Sequence, residues 1–192
     1  TGAVEGIHAI KTGTLVSLSE QEIIDCDKDR VYGCSGGLMD YAFDWIVSNG
    51  GVDTEGDNPY HAENLQCNVT KEQKYTVTIT GHKDVPPMDK SAMYKAVRTQ
   101  PVSVAIEADH RSFQLYHSGV FADATCGTQL DHGVLVVGWG KEWFSKHGYW
   151  IVKNSWGASW GESGFIRLAS NSNSTAPTGM CGILSQPSYP PA

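Results

Sequence analysis

Residues 130–140 read LDHGVLVVGWG and residues 149–157 read YWIVKNSWG, and these two stretches decide the fold. Each is a run of apolar, β-branched and aromatic residues that ends near glycine, a pattern typical of a buried β-strand followed by a turn. His132 stands at the start of the first run, and Asn154 follows the second. The pattern therefore predicts two strands with polar side chains at their ends.

The two halves of the chain differ in their hydrophobic periodicity. Strand patterns occur in the second half, at residues 102–106, 134–137, 149–153 and 164–168. Apolar residues at helical spacing occur earlier in the chain, at residues 3–10, 38–46 and 93–97. Gly13 and Gly50 would end the first two of these helices. The capping-box sequence at residues 19–22 predicts the start of a further helix. The sequence therefore predicts an α+β protein with a helical lobe, a β-rich lobe and a binding cleft between them, divided near residues 81–86.

Composition excludes several classes of function. The chain has 192 residues and 40% hydrophobic content, enough for one large domain or two small lobes. Its net charge is −7 without a basic cluster, so we expect no nucleic-acid binding, which requires clustered Lys and Arg. No apolar stretch reaches the ~18 residues of a membrane helix, so we expect no membrane insertion. The start at Thr1 lacks a leader-peptide pattern and suggests a processed or truncated product.

Cysteines and glycosylation sequons indicate the cellular compartment. The five cysteines are Cys26, Cys34, Cys67, Cys126 and Cys181, and none forms a CxxC pair, so we expect no metal site. Sequons at Asn68 and Asn173 are typical of proteins on the secretory route, where disulfides persist. An odd number of cysteines leaves one thiol without a partner in this chain.

The two strand-end residues point to a hydrolytic site. A histidine whose ring is held by an asparagine amide forms two thirds of a Cys-His-Asn site. The amide of Asn154 would fix the tautomer of His132, whose other nitrogen would form an ion pair with a thiolate and later protonate a leaving amine. No cysteine in the chain has the sequence setting of that nucleophile.

In its motifs the chain resembles the papain-like cysteine proteases, and most of all the plant members. The resemblance covers essentially the whole chain. It rests on residues 19–22 with Asp25 and Cys26, residues 33–37, residues 100–104, the His132 and Asn154 segments, residues 156–162, and residues 181–182. It implies a two-lobe papain-like fold with a helical left lobe at residues 1–83 and an antiparallel, β-barrel-like right lobe at residues 84–192. His132 and Asn154 would lie in the right lobe, facing an active-site cleft, and the C-terminal tail would return to the left lobe.

The family's cysteine signature, C-G-[SA]-C-[WY], is absent from this sequence. By resemblance, Thr1 falls about six residues after the nucleophile, inside the central helix, and about 30 residues of the mature protein would precede it. Those residues would also carry the Gln of the oxyanion hole. We therefore expect the 192-residue chain alone to be inactive. The resemblance further implies the disulfides Cys26–Cys67 and Cys126–Cys181, with Cys34 unpaired because its partner would precede the nucleophile.

The resemblance also assigns roles around the catalytic pair. Trp156 would shield the hydrogen bond between His132 and Asn154 from water. The substrate-binding positions would be Tyr32, Gly36, Gly37, Leu38, Met39, Ala105, Gln114, Leu130, Asp131, Trp160 and Gln186.

Three groups of these positions have distinct expected contacts. Gly36 and Gly37 would let an extended peptide pair with the backbone, and Trp160 and Gln114 would contact its primed side. The S2 pocket would consist of Leu38, Met39, Ala105, Leu130 and Gln186. Four of these are apolar and one is neutral, which predicts a hydrophobic P2 side chain rather than Arg.

Two alternatives to a peptidase stay open: a non-catalytic binding protein that has lost the nucleophile, and a storage-type scaffold protein. The presence of His132, Asn154 and Trp156 together favours the peptidase, because neither alternative has a chemical reason to keep all three. The resemblance implies peptide or protein substrates, cystatin-like inhibitors or a prosegment as partners, no cofactor, and a monomer. It places the protein in a lysosome or vacuole or outside the cell.

Overall fold

The structure is a computed structural model that describes residues 1–28, 30–72, 76–142, 148–170 and 176–191. Its backbone contacts divide the chain into two compact units, one of Thr1–Lys83 with Ser188–Ala192 and the other of Asp84–Pro187. The first unit is mainly helical and the second contains most of the strands, so the protein has an α+β fold. No helix among the described residues is long and apolar enough to cross a membrane.

Within the described residues, the first unit contains four α-helices and the second contains two. The helices are α1 (Gly2–Thr12), α2 (Glu20–Cys26), α3 (Met39–Asn49), α4 (Val69–Glu72), α5 (Lys90–Val97) and α6 (Arg111–Gln114). Short 3-10 helices occur at Gly33–Ser35 and Met180–Gly182. The strands are β1 (Lys83–Asp84), β2 (Val102–Ile106), β3 (Val120–Phe121), β4 (His132–Lys141), β5 (Gly148–Lys153), β6 (Phe165–Ala169) and β7 (Ser188–Tyr189).

Helix α1 buries one narrow face and ends at a glycine. Ala3, Val4 and Ile7 are buried. Gly13 follows in the left-handed conformation, with φ of 78°, and its N–H donates to the Ala9 carbonyl, an ending that favours glycine. Ile10 is 58% exposed. The apolar face is therefore one turn shorter than the sequence pattern predicts.

The predicted capping box at α2 is only half formed. The hydroxyl of Ser19 accepts the Glu22 N–H at 2.9 Å. The Ser19 N–H, however, donates to the Asp53 carbonyl at 3.0 Å. The Glu22 carboxylate accepts the Asp53 N–H at 2.7 Å. The buried Glu22 carboxylate therefore binds the segment around Asp53 and does not accept the Ser19 N–H at the start of α2.

Helix α3 starts one residue later than its apolar pattern. Phe43 and Ile46 are its buried residues, whereas Leu38 precedes the helix as its N-cap and is 42% exposed. Gly50 ends the helix in the left-handed conformation, with φ of 90°. Helix α5 keeps the predicted face, since Met93, Ala96 and Val97 are all buried.

One disulfide lies in each unit. Cys26 bonds Cys67 in the first unit, and Cys126 bonds Cys181 in the second, the two pairs that the family resemblance implies. They span 41 and 55 residues. Loops of this length correspond to about 4 kcal/mol each in the chain-entropy model. Cys34 is a free, exposed thiol.

The second unit is built on a sheet in the order β2-β4-β5-β6-β3. The pairs β2–β4, β4–β5 and β5–β6 are antiparallel, whereas β3 runs parallel to β6. The sheet is therefore mainly antiparallel, with one parallel edge pair that the sequence does not predict. Its fully buried side chains include Val104, Val136, Trp150, Val152 and Ile166.

Candidate active site

His132 and Asn154 meet because of the antiparallel pairing of β4 and β5. His132 is the first residue of β4 and faces Ile106 of β2. Asn154 directly follows β5, whose last residue, Lys153, pairs with Leu135. In an antiparallel pair the start of one strand lies beside the end of the other. The two polar residues therefore lie at the same end of the sheet although 22 residues separate them.

A short hydrogen bond fixes the histidine ring. His132 Nε2 lies 2.8 Å from Asn154 Oδ1. The same Oδ1 accepts the backbone N–H of Ser155, also at 2.8 Å. A backbone N–H can only donate, so this amide atom is an acceptor and Nε2 must carry the proton. The neutral ring is thus held as its Nε2–H tautomer, and Nδ1 is the nitrogen that can exchange a proton with a reactant.

The indole of Trp156 covers one face of the same ring. The two rings are stacked, with centroids 5.1 Å apart and planes inclined by 29°. Asn154 is buried, and its Nδ2 atom has no hydrogen-bond partner among the described residues. The hydrogen bond between His132 and Asn154 therefore has a largely apolar setting, in which it is stronger than in water.

Trp156 packs against a cluster of aromatic side chains on its buried side. Phe113, in α6, is fully buried and lies edge-on to Trp156 with centroids 5.7 Å apart. It also contacts Trp160 at 5.5 Å. Trp156 and Trp160 contact each other at 5.2 Å. The only sequence signal for Phe113 is its helical spacing from Tyr116, which contacts Trp160 at 5.6 Å.

Trp160 and Gln114, both predicted to contact the primed side of a peptide, lie together. The indole N–H of Trp160 donates to the Gln114 carbonyl at 3.0 Å. This bond uses the backbone of Gln114 and holds the half-buried Trp160 ring beside α6. The Gln114 side chain is exposed. The structure thus brings these two residues together with the pair of His132 and Trp156.

A bidentate ion pair closes the turn that carries Trp160. Arg167 Nε and Nη2 donate to Glu162 Oε2 and Oε1 at 2.8 and 2.6 Å. Glu162 Oε1 also accepts the Gly119 N–H at 2.9 Å. The bonds from Arg167, opposed by burial, lower the pKa of Glu162. The Glu162 carboxylate in turn raises the pKa of Arg167.

A second carboxylate, Glu107, was not among the predicted site residues. It is 6% exposed, directly follows β2 and accepts N–H groups of Gly127, at 3.0 Å, and Gln129. His110 Nε2 lies 2.7 Å from Glu107 Oε1. The Gln129 bond is the largest cause of a lowered Glu107 pKa, which burial opposes. The sequence signal was a charged residue that continues an apolar strand.

The remaining predicted positions of the second unit differ in how far they are buried. Ala105 is buried in β2, Leu130 is half-buried and Gln186 is exposed. The Asp131 N–H donates to the Ile106 carbonyl at 3.0 Å. The Asp131 carboxylate accepts the Ala108 N–H at 2.8 Å. Asp131 therefore fixes the backbone just before His132.

The predicted positions of the first unit lie in one short segment. Tyr32, Gly36, Gly37 and Leu38 are exposed, and Met39, the first residue of α3, is half-buried. The Tyr32 N–H donates to the Gly36 carbonyl at 2.8 Å, which closes a tight turn. Gly36 has φ of 99°, a conformation that favours glycine.

The two sequons differ in what the structure describes. Asn68 is exposed and directly precedes α4. Asn173 lies outside the described residues.

Comparisons with known proteins show the family of this chain. Residues 1–191 match the model of the papain family of cysteine proteases. The chain is 56% identical over 189 residues to the probable cysteine protease RD21B of Arabidopsis thaliana, an alignment that covers 98% of this chain and 40% of that protein. This chain belongs to the papain family of cysteine proteases. It spans less than half the length of this relative.

Solved structures show the same fold. The bromelain protease from Ananas comosus, in complex with the E64 inhibitor, superposes with a TM-score of 0.90 at 44% identity, covering 98% of this chain and 84% of that one. The proform of the Amb a 11 cysteine protease, a major ragweed pollen allergen, superposes with a TM-score of 0.90 at 40% identity, covering 98% of this chain and 55% of that one. The papain-like fold predicted from the sequence is therefore confirmed.

Proposed function

We propose that the protein to which this chain belongs is a cysteine endopeptidase that hydrolyses peptide bonds with a Cys-His-Asn site. The observation that carries the proposal is the hydrogen bond of 2.8 Å between His132 and Asn154, covered by Trp156. Membership of the papain family supports the same reaction class. The tautomer that Asn154 imposes leaves Nδ1 of His132 for proton transfer.

Each step of the reaction uses that nitrogen. His132 Nδ1 takes the thiol proton, and the thiolate attacks the peptide carbonyl carbon. Nδ1 then returns the proton to the departing amine, leaving a thioester. Water attacks the thioester while Nδ1 accepts its proton, and the thiol is restored when the acid leaves. Asn154 holds Nε2–H throughout, so the ring does not lose its orientation between the two halves of the cycle.

We propose that the nucleophile lies outside these 192 residues. Four of the five cysteines form disulfides, and Cys34 is the free thiol. Cys34 lies in the three-residue 3-10 helix Gly33–Ser35, and its N–H donates to Asn64 Oδ1 at 2.7 Å. A family nucleophile instead stands in the C-G-[SA]-C-[WY] signature, which this sequence lacks. The chain alone is therefore expected to be inactive.

Two proteins test this proposal. One is the 192-residue chain, and the other is the same chain preceded by a segment of about 30 residues that carries the C-G-[SA]-C-[WY] signature, called the extended chain. We expect the extended chain to hydrolyse fluorogenic peptides and to bind E64, and the 192-residue chain to do neither. His132→Ala in the extended chain should abolish hydrolysis. A folded extended chain without hydrolysis would contradict the proposal.

We also propose a hydrophobic P2 preference. It is supported by the types of residue at the family's S2 positions, which are Leu38, Met39, Ala105, Leu130 and Gln186. Four apolar side chains favour an apolar partner, and no carboxylate among them would pair with Arg. Otherwise identical substrates with Leu or Arg at P2 test this in the extended chain. A higher kcat/KM for Arg would contradict it.

A non-catalytic binding protein is the second candidate, favoured by the absence of the cysteine signature from the chain. The intact mass of the non-reduced protein from its natural source separates the two. A mass near 20.8 kDa plus glycan favours the binding protein. A mass roughly 3 kDa larger, from a segment with the signature, favours the peptidase.

We further propose that the protein is a monomer in a vacuole, a lysosome or the extracellular space. Two disulfides support an oxidising compartment. Peptide substrates, cystatin-like inhibitors and a prosegment are the proposed partners. They are supported by the E64 complex of bromelain and by the proform of Amb a 11.

A further inference from the structure

A single carboxylate holds the middle of the loop at residues 126–131, which leads into β4. Glu107 Oε1 accepts the Gly127 N–H at 3.0 Å, and Glu107 Oε2 accepts the Gln129 N–H. His110 Nε2 lies 2.7 Å from Oε1. The lowered pKa of Glu107 keeps the carboxyl group ionised. An ionised carboxylate has no proton to donate, so His110 Nε2 is the donor. The carboxylate is therefore satisfied by three donors while it is buried.

The close approach of the loop to Glu107 requires a glycine. A β-carbon at residue 127 would lie 2.7 Å from Glu107 Oε2 and 2.8 Å from Oε1. Real β-carbons do not come this close to other heavy atoms, so any other residue would push the carboxylate or the loop away. The backbone of the loop and the side chain of Glu107 are thus fitted to each other.

The two ends of the loop have other attachments. Cys126 is bonded to Cys181, whose carbonyl accepts the Glu107 N–H at 2.9 Å. Asp131 is fixed to β2 through Ile106 and Ala108. Among the described residues, the N–H groups of Gly127 and Gln129 both donate to Glu107. Loss of Glu107 should therefore release the middle of the loop and leave its ends in place.

Glu107 and His110, together with Asp109, could suggest a cation site, since ligand atoms of these three residues lie within 4.8 Å of one another. Both Glu107 oxygens, however, are already hydrogen-bond acceptors, and Asp109 is exposed. A cation would have to displace N–H groups that are fixed by the loop. The arrangement fits a clamp on the loop better than a metal site.

We propose that Glu107 is a positioning residue for substrate selection: its carboxylate fixes the loop that carries Leu130 and thereby sets the P2 preference. This inference rests on the proposed peptidase function, because Leu130 is one of the proposed S2 positions. Leu130 directly follows Gln129, whose N–H the carboxylate holds. The Leu130 side chain also packs closely against Gly182. A β-carbon added at Gly182 would lie only 2.7 Å from Leu130 Cδ2. A loop that moves at Gln129 therefore moves Leu130.

Amide hydrogen exchange tests the clamp without any need for activity. In the 192-residue chain, Glu107→Gln replaces an acceptor oxygen with an NH₂ group that faces an N–H donor. We expect the amides of Gly127 and Gln129 to exchange at least about tenfold faster, because local opening no longer breaks charge-assisted hydrogen bonds. The matched control is Asp109→Asn, which removes one negative charge two residues away without touching the loop. Unchanged exchange in Glu107→Gln would overturn the proposal.

Selectivity of the extended chain tests the role in substrate choice. We expect Glu107→Gln to lower the kcat/KM ratio of P2-Leu over P2-Arg substrates about tenfold, mainly through a higher KM for P2-Leu. The kcat for P2-Leu should stay within about twofold, because His132 and Asn154 are untouched. Asp109→Asn should leave the ratio unchanged. Faster exchange with an unchanged ratio would overturn the positioning role.

Two further measurements keep these outcomes distinct. An unmutated extended chain that is folded but inactive contradicts the peptidase function, while the exchange experiment still decides whether Glu107 clamps the loop. Thermal melting shows whether Glu107→Gln folds. If it does not, Gly127→Ala takes its place, since the added methyl disturbs the same contact from the loop side, and the same changes in exchange and selectivity are expected.

Discussion

The imidazole of His132 stacks on the indole of Trp156, with ring centroids 5.1 Å apart. Trp156 itself is 38% exposed, so its outer face meets solvent while its inner face covers the histidine. Phe113 supports it from the buried side, with centroids 5.7 Å apart. We therefore expect the tryptophan to shield from water the hydrogen bond that orients the histidine.

Removing this wall should expose the hydrogen bond. In Trp156→Ala, we expect the Nε2 proton of His132 to exchange with water fast enough to lose its NMR signal. Trp156→Phe keeps a ring face over the imidazole and should retain the signal. In the extended chain, kcat/KM should fall about tenfold for Trp156→Ala, because a loosened hydrogen bond orients the base less well. A persistent Nε2 proton in Trp156→Ala would show that Trp156 is not the shield.

Asn154 should determine the tautomer of His132. Asn154→Ala removes the acceptor of both the His132 ring N–H and the Ser155 N–H. We expect the ring ¹⁵N shifts of His132 to show a mixture of tautomers, and kcat/KM of the extended chain to fall about 10²-fold. Asn154→Asp keeps an acceptor oxygen and should keep the Nε2–H tautomer. A single Nε2–H tautomer in Asn154→Ala would contradict this role.

The sequence predicts the strands better than the ends of the helices. The β2 range, 102–106, agrees residue for residue, because alternation and flanking turns define a strand locally. Leu38 and Ile10 were placed on apolar helix faces, yet both are exposed. Burial of a helix face depends on what packs against it, and a periodic pattern does not contain that partner. The parallel pairing of β3 with β6 is likewise non-local and has no signal in a two-residue strand.

The candidate site follows the same division. His132 and Asn154 could be predicted because each stands at the end of a recognisable strand. Glu107 and Phe113 could not, because their importance arises from contacts with Gln129 and Trp156, which lie far along the chain. A charged residue in an apolar run was the one signal for Glu107. A charged residue in such a run is buried with the strand and therefore needs hydrogen-bond donors, which for Glu107 come from residues 127 and 129.

The Glu162–Arg167 pair should make stability depend on pH. Since the folded pKa of Glu162 is lowered, the unfolded state binds the proton more readily. The contribution is therefore complete above the ordinary pKa of about 4.3 and is lost as pH falls through the folded pKa. We expect Glu162→Gln to cost about 2 kcal/mol of unfolding free energy at pH 7. The difference from the unmutated chain should shrink in urea titrations below about pH 4.

A matched control separates this effect from the loss of any charge. Glu63 is exposed, and Glu63→Gln removes the same charge in the other unit. Its unfolding free energy should change by less than about 0.5 kcal/mol. A Glu162→Gln penalty that is equal at pH 3 and pH 7 would show that packing, and not charge, is lost.

Gly161 should be the most sensitive glycine of the turn that carries Trp160. It has φ of 56°, and a β-carbon there would lie 2.5 Å from the Phe165 carbonyl oxygen and 3.0 Å from the Tyr116 ring. Gly157 also has positive φ, 86°, but a β-carbon there meets nothing within 4 Å. Gly157→Ala should cost about 1 kcal/mol of unfolding free energy from backbone strain alone. Gly161→Ala should cost about 3 kcal/mol or more, because strain and overlap add. Thermal or urea unfolding of the two variants measures the difference, and equal penalties would mean that the turn shifts to admit the methyl group.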